Sequence, residues 1–104
     1  GAAQRVGRAM ALAFARRGHP VAAHYHRSER QARELQQEIN AFGGACHLFP
    51  ADLADPLVPA QLCADVFAAL PETRILINNA SVLDRGPLPH TTPELWDAQF
   101  ATNL

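Results

Sequence analysis

Ile75, Leu76 and Ile77 stand together with no polar residue between them and run directly into Asn78 and Asn79. Neighbouring strand residues point to opposite faces, so a strand that is apolar at every position must be covered on both sides. That is the place of a parallel strand between two layers of helices, and residues 74–79 are expected to form one. The covering layers are legible before it. Val6, Met10, Ala13 and Phe14 recur at helical spacing, and Arg16, Arg17 and Gly18 supply the basic last turn and the stop of a first helix. Residues 21–25 are a short, mostly apolar run bounded by Gly18 and Pro20 on one side and polar residues on the other, which reads as a strand. Ser28 with Gln31 forms the capping pattern of a second helix, whose stripe is Ala32, Leu35, Ile39 and Phe42 and whose stop is Gly43 with Gly44.

Residues 45–49 read as a second strand, and 55–70 as a third helix with Val58, Leu62, Val66 and Leu70 in register, its first turn delayed by Pro59. Thr92 and Pro93 are an N-cap and first position for a fourth helix that carries Trp96, Phe100 and Asn103 on one face. This alternation is that of a doubly wound α/β fold. It begins with a helix, however, whereas the Rossmann-type version begins with a strand feeding a glycine loop, and in the order 3-2-1-4 that strand lies between strands two and four. Residues 1–104 are therefore expected to be one partial domain, truncated at both ends and lacking the first strand and the C-terminal half. A gap with unpaired backbone groups should stand in the sheet where the first strand belongs.

Ten acidic and nine basic residues leave a formal charge of -1, so no excess of positive charge draws nucleic acid or an anionic membrane. A small-molecule partner fits better. No apolar run approaches the roughly 20 residues of a membrane span, and no basic-then-apolar leader opens the chain, which points to the cytoplasm. Cys46 and Cys63 read as ordinary thiols of a reducing compartment rather than a disulfide. All nine basic residues are arginine, so chemistry that needs a lysine must take it from elsewhere. His24, His26, Cys46 and His47 could be imagined around a metal, but alternate strand residues face opposite ways and no accepted ligand spacing is present, so no metal is expected.

Gly1-Ala2-Ala3-Gln4-Arg5-Val6-Gly7 precedes the first helix. Small residues there let the backbone approach a ligand, and a helix N-terminus offers N–H groups to phosphate. A plain helix lead-in would look similar. About 20 residues past such glycines an acid bonds the ribose of NAD, whereas basic groups accept the extra phosphate of NADP. This chain has His24-Tyr25-His26-Arg27-Ser28, without an acid, although Arg27 and Arg30 could equally be solvated surface charges. Asp52-Leu53 follows the second strand at the sheet edge where nucleotides bind, as a ligand contact or an ordinary loop aspartate. Asn79 at a buried strand end and Asn103 on an apolar helix face each need specific partners.

Taken in order, these segments resemble the short-chain dehydrogenase/reductase family. Gly1 and Gly7 match the outer glycines of its T-G-x-x-x-G-x-G opening, and Arg5 stands for the middle one, as in the T-G-x-x-x-R-x-G of the pteridine reductase branch. His24 to Ser28 resembles the His-Tyr-His-Arg-Ser of that branch. Asn78-Asn79-Ala80-Ser81 resembles the family's N-N-A-G with serine in fourth place, and Ala101-Thr102-Asn103-Leu104 resembles the helix segment carrying the asparagine of its Asn-Ser-Tyr-Lys group. The branch has an aromatic residue shortly after N-N-A-S to stack its pterin, where this chain has Val82-Leu83-Asp84.

The resemblance implies an NADP-binding Rossmann domain over 1–104, with NADP(H) held by Gly1, Arg5, Val6, Gly7, Tyr25, His26, Arg27, Ser28, Asp52, Leu53, Asn79, Ala80 and Ser81. Asp52 would meet the adenine, Arg5 and Ser81 would also face substrate, and Asn103 would hold a water of the proton relay. It implies an NADPH-dependent oxidoreductase that passes hydride to a pterin, a dihydropterin or a similar small substrate. Another small carbonyl compound, or a non-catalytic NADP sensor on the same fold, are the alternatives. The proton would come from a tyrosine whose pKa a lysine lowers. Tyr25 is the only tyrosine and belongs to the cofactor region, so residues 1–104 alone are expected to be inactive. A homotetramer is implied by the family and not by these residues.

Overall fold

The structure is a computed structural model that describes residues 1–83 and 87–103. Its elements are α1 (Arg5–Arg16), β1 (Val21–Tyr25), α2 (Glu29–Ala41), β2 (Cys46–Pro50), α3 (Val58–Ala69), a single 3-10 turn (Leu88–His90) and α4 (Pro93–Asn103). β1 and β2 pair in parallel, with Val21 opposite Cys46 and Tyr25 opposite Pro50. Parallel neighbours cannot be joined by a tight turn, and α2 is the crossover. The fold is the Rossmann-like α/β arrangement.

The core lies between β1, β2 and the two helices that flank them. Leu35 and Ile39 of α2 are fully buried against Ala11, Leu12 and Ala15 of α1, Ala23 of β1 and Cys46 of β2. Fully burying one such leucine or isoleucine contributes about 1.5–3 kcal/mol. The buried face of α1 is Gly7, Ala11, Leu12 and Ala15, one position round from the Val6, Met10, Ala13 and Phe14 stripe, and Val6 is exposed. Close approach to the strands explains the shift, because glycine and alanine let the helix backbone come nearer than larger side chains would. Arg8 and Arg16 then reach across to Glu38 of α2 and tie the two helices at the surface.

Helix ends follow the sequence with one exception. At the end of α1, Gly18 adopts φ +85° and its N–H bonds Ala15 O, while His19 N bonds Phe14 O. At the end of α2, Gly43 adopts φ +84° and Gly44 N bonds Ile39 O, closing the last turn in the left-handed conformation glycine favours. Thr92 caps α4 with its hydroxyl on Leu95 N at 3.2 Å. Ser28 is the N-cap of α2 by position, but its hydroxyl makes no capping bond. It lines a cleft instead.

The segment 74–79 departs most from expectation. It is not a strand, and Ile75, Leu76 and Ile77 are 61%, 77% and 43% exposed. An extended segment becomes a strand only beside a ladder partner, and no described residue pairs its backbone with 74–78. Residues 1–2 occupy one end of that place: Ala2 N bonds His24 O at 2.9 Å on the β1 side, and Asn79 Nδ2 donates to Gly1 O at 2.8 Å on the other. Val58, Leu62 and Val66 are half-buried in register on α3, Leu70 is its half-buried C-cap, and the helix starts at Val58 with Pro59 in its first turn. On α4, Trp96 and Phe100 stack at 4.8 Å between ring centres and remain largely exposed. With so much surface uncovered, the radius of gyration is 15.1 Å, against about 13 Å for a compact chain of this length.

Both cysteines are free. Cys46 is buried, which pushes its thiol up to about 11, while Cys63 is exposed on α3. Only thiolate reacts readily. A thiol reagent at pH 8 is therefore expected to label one cysteine per native chain, and Cys63→Ser to leave none until denaturant is added. Equal labelling of both in the native state would contradict the core described above.

Candidate functional site

One cleft of about 340 Å³ opens where the chain start, the carboxyl ends of β1 and β2, and the segment 79–82 converge. Its volume lies in the range of ligand sites, roughly 300–1,000 Å³. Gly1 lines it from the first loop, Arg5 and Val6 from the first turn of α1, Tyr25, His26, Arg27 and Ser28 from the end of β1, Asp52 and Leu53 from the loop after β2, and Asn79, Ala80 and Ser81 from the segment opposite. The parallel register brings these ends together, since β1 and β2 finish on the same side and Ala51 N continues their ladder onto Tyr25 O at 2.9 Å.

Gly7 does not line the cleft but sits directly behind it. A Cβ on Gly7 would fall 2.0 Å from Gly1 O and 2.6 Å from Asn79 Nδ2, and one on Gly1 would fall 2.6 Å from Ala80 Cα. Bare backbone is therefore needed at both positions. Arg5 is the only non-glycine among the described residues with positive φ, at 49°. An L-residue held in that region costs roughly 1–2 kcal/mol, and such strain concentrates where a side chain has been placed for use. Arg5 is the first residue of α1 and lines the cleft, so the first free N–H groups of the helix stand at its wall.

Where β1 and β2 finish, the cleft is polar on both walls. His26 Nε2 stands 3.7 Å from Asp52 Oδ2, and Asp52 Oδ1 accepts from Ala54 N at 3.1 Å, which fixes the carboxylate in a local turn. His24, not singled out as a site residue from the sequence, also lines the cleft. Gly1 N lies 2.7 Å from its Nδ1, and its Nε2 lies 3.0 Å from Ala51 O. Burial holds His24 below the ordinary imidazole range. Its signal in the sequence was a polar ring next to core-facing Ala23, on the other face of the strand. Thr102, the other functional candidate that sequence reasoning passed over, lines the cleft from α4 and was hidden beside Asn103.

Asn103 does not line the cleft. Its carboxamide takes both backbone groups of Val82, accepting from the N–H at 2.8 Å and donating to the carbonyl at 2.9 Å, with Gln99 Oε1 at 3.4 Å. Its side chain thus holds the backbone next to Ser81. Asn79 does the same for Gly1. Val82 and Leu83 are described and exposed, whereas Asp84 and Leu104 lie outside the described residues. The described residues contain no group of three or more His, Cys, Asp or Glu that could hold a metal, and none of their helices is long and apolar enough to cross a membrane.

The geometry fits a dinucleotide on the chain's own atoms: a cradle closed to any Cβ, a helix N-terminus, four donor side chains and a facing carboxylate around one space. Comparison with known proteins agrees. The short chain dehydrogenase family model matches residues 1–104. Versicolorin reductase 1 of Aspergillus parasiticus is 32% identical over 99% of this chain and 39% of its own length. FolM alternative dihydrofolate reductase 1 of Brucella canis, solved with NADP, superposes with a TM-score of 0.84 at 32% identity over 97% of this chain and 41% of its own. Landomycin C-6 ketoreductase LanV, solved with NADP and rabelomycin, gives 0.91 at 32% identity over 99% and 44%. The chain thus spans about two fifths of the length of each of these relatives.

Proposed function

The chain belongs to the short chain dehydrogenase family, and from that premise we propose that it is the cofactor-binding part of an NADPH-dependent reductase acting on a pterin, a dihydropterin or a similar small substrate. The cleft carries this reading, because it sets Arg5, His26, Arg27 and Ser28 around a space with no acid at the end of β1. When bound, NADPH supplies the hydride. Arg5 and the α1 N-terminus bind its pyrophosphate, His26, Arg27 and Ser28 its 2′-phosphate, and Asp52 with Leu53 its adenosine, while Tyr25 walls the same side. Val6, Gly7 and Gly1 shape the loop, Asn79 braces it, and Ala80 with Ser81 borders the nicotinamide end. Arg5 and Ser81 are the polar groups offered to substrate. Asn103 serves as a positioning residue through the backbone of Val82.

Arg5 supports the pterin reading, since it stands where the family has glycine and keeps its place at the expense of a strained backbone. Arg5→Gly is expected to stabilise the chain by about 1 kcal/mol in denaturant titrations and yet to weaken NADPH binding. A variant that gains stability with no loss of binding would remove the reason for an arginine there. Reduction of another small carbonyl compound is the second reading, favoured by exposed Leu83, which offers an apolar contact but no aromatic face for a pterin ring. The ketoreductase among the structural relatives points the same way.

The test is NADPH oxidation by the complete gene product with dihydrobiopterin and with a panel of small ketones, NADH serving as the control cofactor. Turnover of dihydropterin with NADPH supports the first reading, and turnover of ketones alone moves the assignment to the second. Tight NADPH binding without turnover would make the protein a sensor instead. Residues 1–104, with no lysine and with Tyr25 in the cofactor cleft, should turn over neither. A cytoplasmic homo-oligomer is the setting this reading implies.

A further inference from the structure

His24 stands where the ladder between β1 and β2 ends. Ala51 N still reaches Tyr25 O at 2.9 Å, and the next rung of a parallel pair would give Ala51 O to the N–H of Arg27. Among the described residues that rung is not formed. The His24 ring takes the carbonyl instead, with Nε2 3.0 Å from Ala51 O, and because a carbonyl only accepts, Nε2 is the donor. Ala51 is thus held by its N–H and by its carbonyl, one residue before Asp52. Residues 26–28, released from the ladder, line the cleft.

The same residue holds the first loop. Its carbonyl accepts from Gly1 N at 3.0 Å and from Ala2 N at 2.9 Å, and Gly1 N also lies 2.7 Å from its Nδ1. Gly1 lines the cleft from the glycine loop, and Asp52 with Leu53 lines it from the loop after β2. One half-buried ring therefore reaches from one of these loops to the other. Resting on the reading that this cleft takes NADPH, we infer that His24 is a positioning residue: its ring sets the separation of the glycine loop from the loop of Asp52 and Leu53, and so keeps the pyrophosphate and adenosine sides of the site in register. Both ring nitrogens are engaged by the chain itself, so His24 acts through its neighbours. With the ring gone, no other described group takes Ala51 O, and the approach to Asp52 loosens.

The measurement is the calorimetric Kd of the full-length protein for NADPH and for adenosine 2′-monophosphate, which has the adenosine end and lacks the pyrophosphate. It is made on the wild type, His24→Phe, His24→Gln and His24→Asn, with a melting curve for each. His24→Phe keeps a flat ring without its nitrogens and is expected to weaken both ligands about threefold to tenfold, the range of one hydrogen bond. A glutamine amide stands about where Nε2 does and keeps the donor to Ala51 O, so His24→Gln is expected to return the monophosphate to wild-type affinity. NADPH, which also meets the glycine loop, stays weakened. Asparagine reaches only as far as Nδ1, and His24→Asn is expected to leave the monophosphate weak. A purely structural role would weaken Gln and Asn variants alike, in step with their melting temperatures, and that result overturns the inference. Wild-type affinity in His24→Phe also overturns it; should that variant not fold, the contrast between Gln and Asn decides alone. A wild type that binds neither ligand overturns the cofactor assignment itself.

Discussion

Gly7→Ala is expected to weaken NADPH binding by at least about tenfold and to destabilise the protein by about 1–3 kcal/mol, the range for a group forced into filled space. The added methyl would lie 2.0 Å from Gly1 O and 2.6 Å from Asn79 Nδ2, which are the two atoms of the 2.8 Å hydrogen bond closing the loop. One of them is backbone and cannot rotate aside. The loop must open, and Gly1, which lines the cleft, moves with it. Gly43→Ala is the matched control. It also places a methyl on a glycine, one with φ +84° and nothing within 4 Å of the new atom, so it costs backbone strain alone and leaves binding unchanged. Fluorescence titration with NADPH and a thermal melt on both variants separate the two effects. Wild-type affinity in Gly7→Ala would show that the loop does not form the cofactor cradle.

Leu35→Ala should cost about 2–5 kcal/mol, the range for emptying a fully buried leucine site. Leu35 is 0% exposed at the centre of the only core cluster among the described residues, where α1, α2, β1 and β2 meet. Several of its neighbours, Ala11, Ala15 and Ala23, have no side chain long enough to reach into the hole. A urea titration of residues 1–104 followed by far-UV circular dichroism measures the loss as a fall in midpoint. Leu76→Ala supplies the contrast: Leu76 is 77% exposed, and a surface change of this kind stays within about 0.5 kcal/mol. Comparable losses in both variants would mean that 74–79 is buried in this chain after all.

The site was legible to different depths for different reasons. Resemblance to the family's motifs, more than identity and spacing taken alone, put Gly1, Arg5, His26, Arg27, Ser28 and Asp52 in one candidate set, and all six line the same cleft. It could not show that Ser28 leaves α2 uncapped by its side chain, that Asp52 stands opposite His26, or that the Asn103 carboxamide is taken up by Val82. The last two are relations between segments far apart in the chain. His24 and Thr102 were not counted among the site residues, because each becomes relevant only through what lies across from it.

From periodicity and capping residues alone, the chain determined its helices, both its paired strands to within one residue, the parallel α/β class and the stops at Gly18 and Gly43. The helices and their glycine stops depend on interactions a few residues long, which a local pattern encodes, and the class follows from the order of the elements. Tertiary structure alone decided which face of α1 is buried and whether Ile75, Leu76 and Ile77 become a strand. Burial and sheet pairing are properties of two surfaces. A segment can advertise its need for a ladder partner, but its backbone groups are satisfied only when another strand stands beside it.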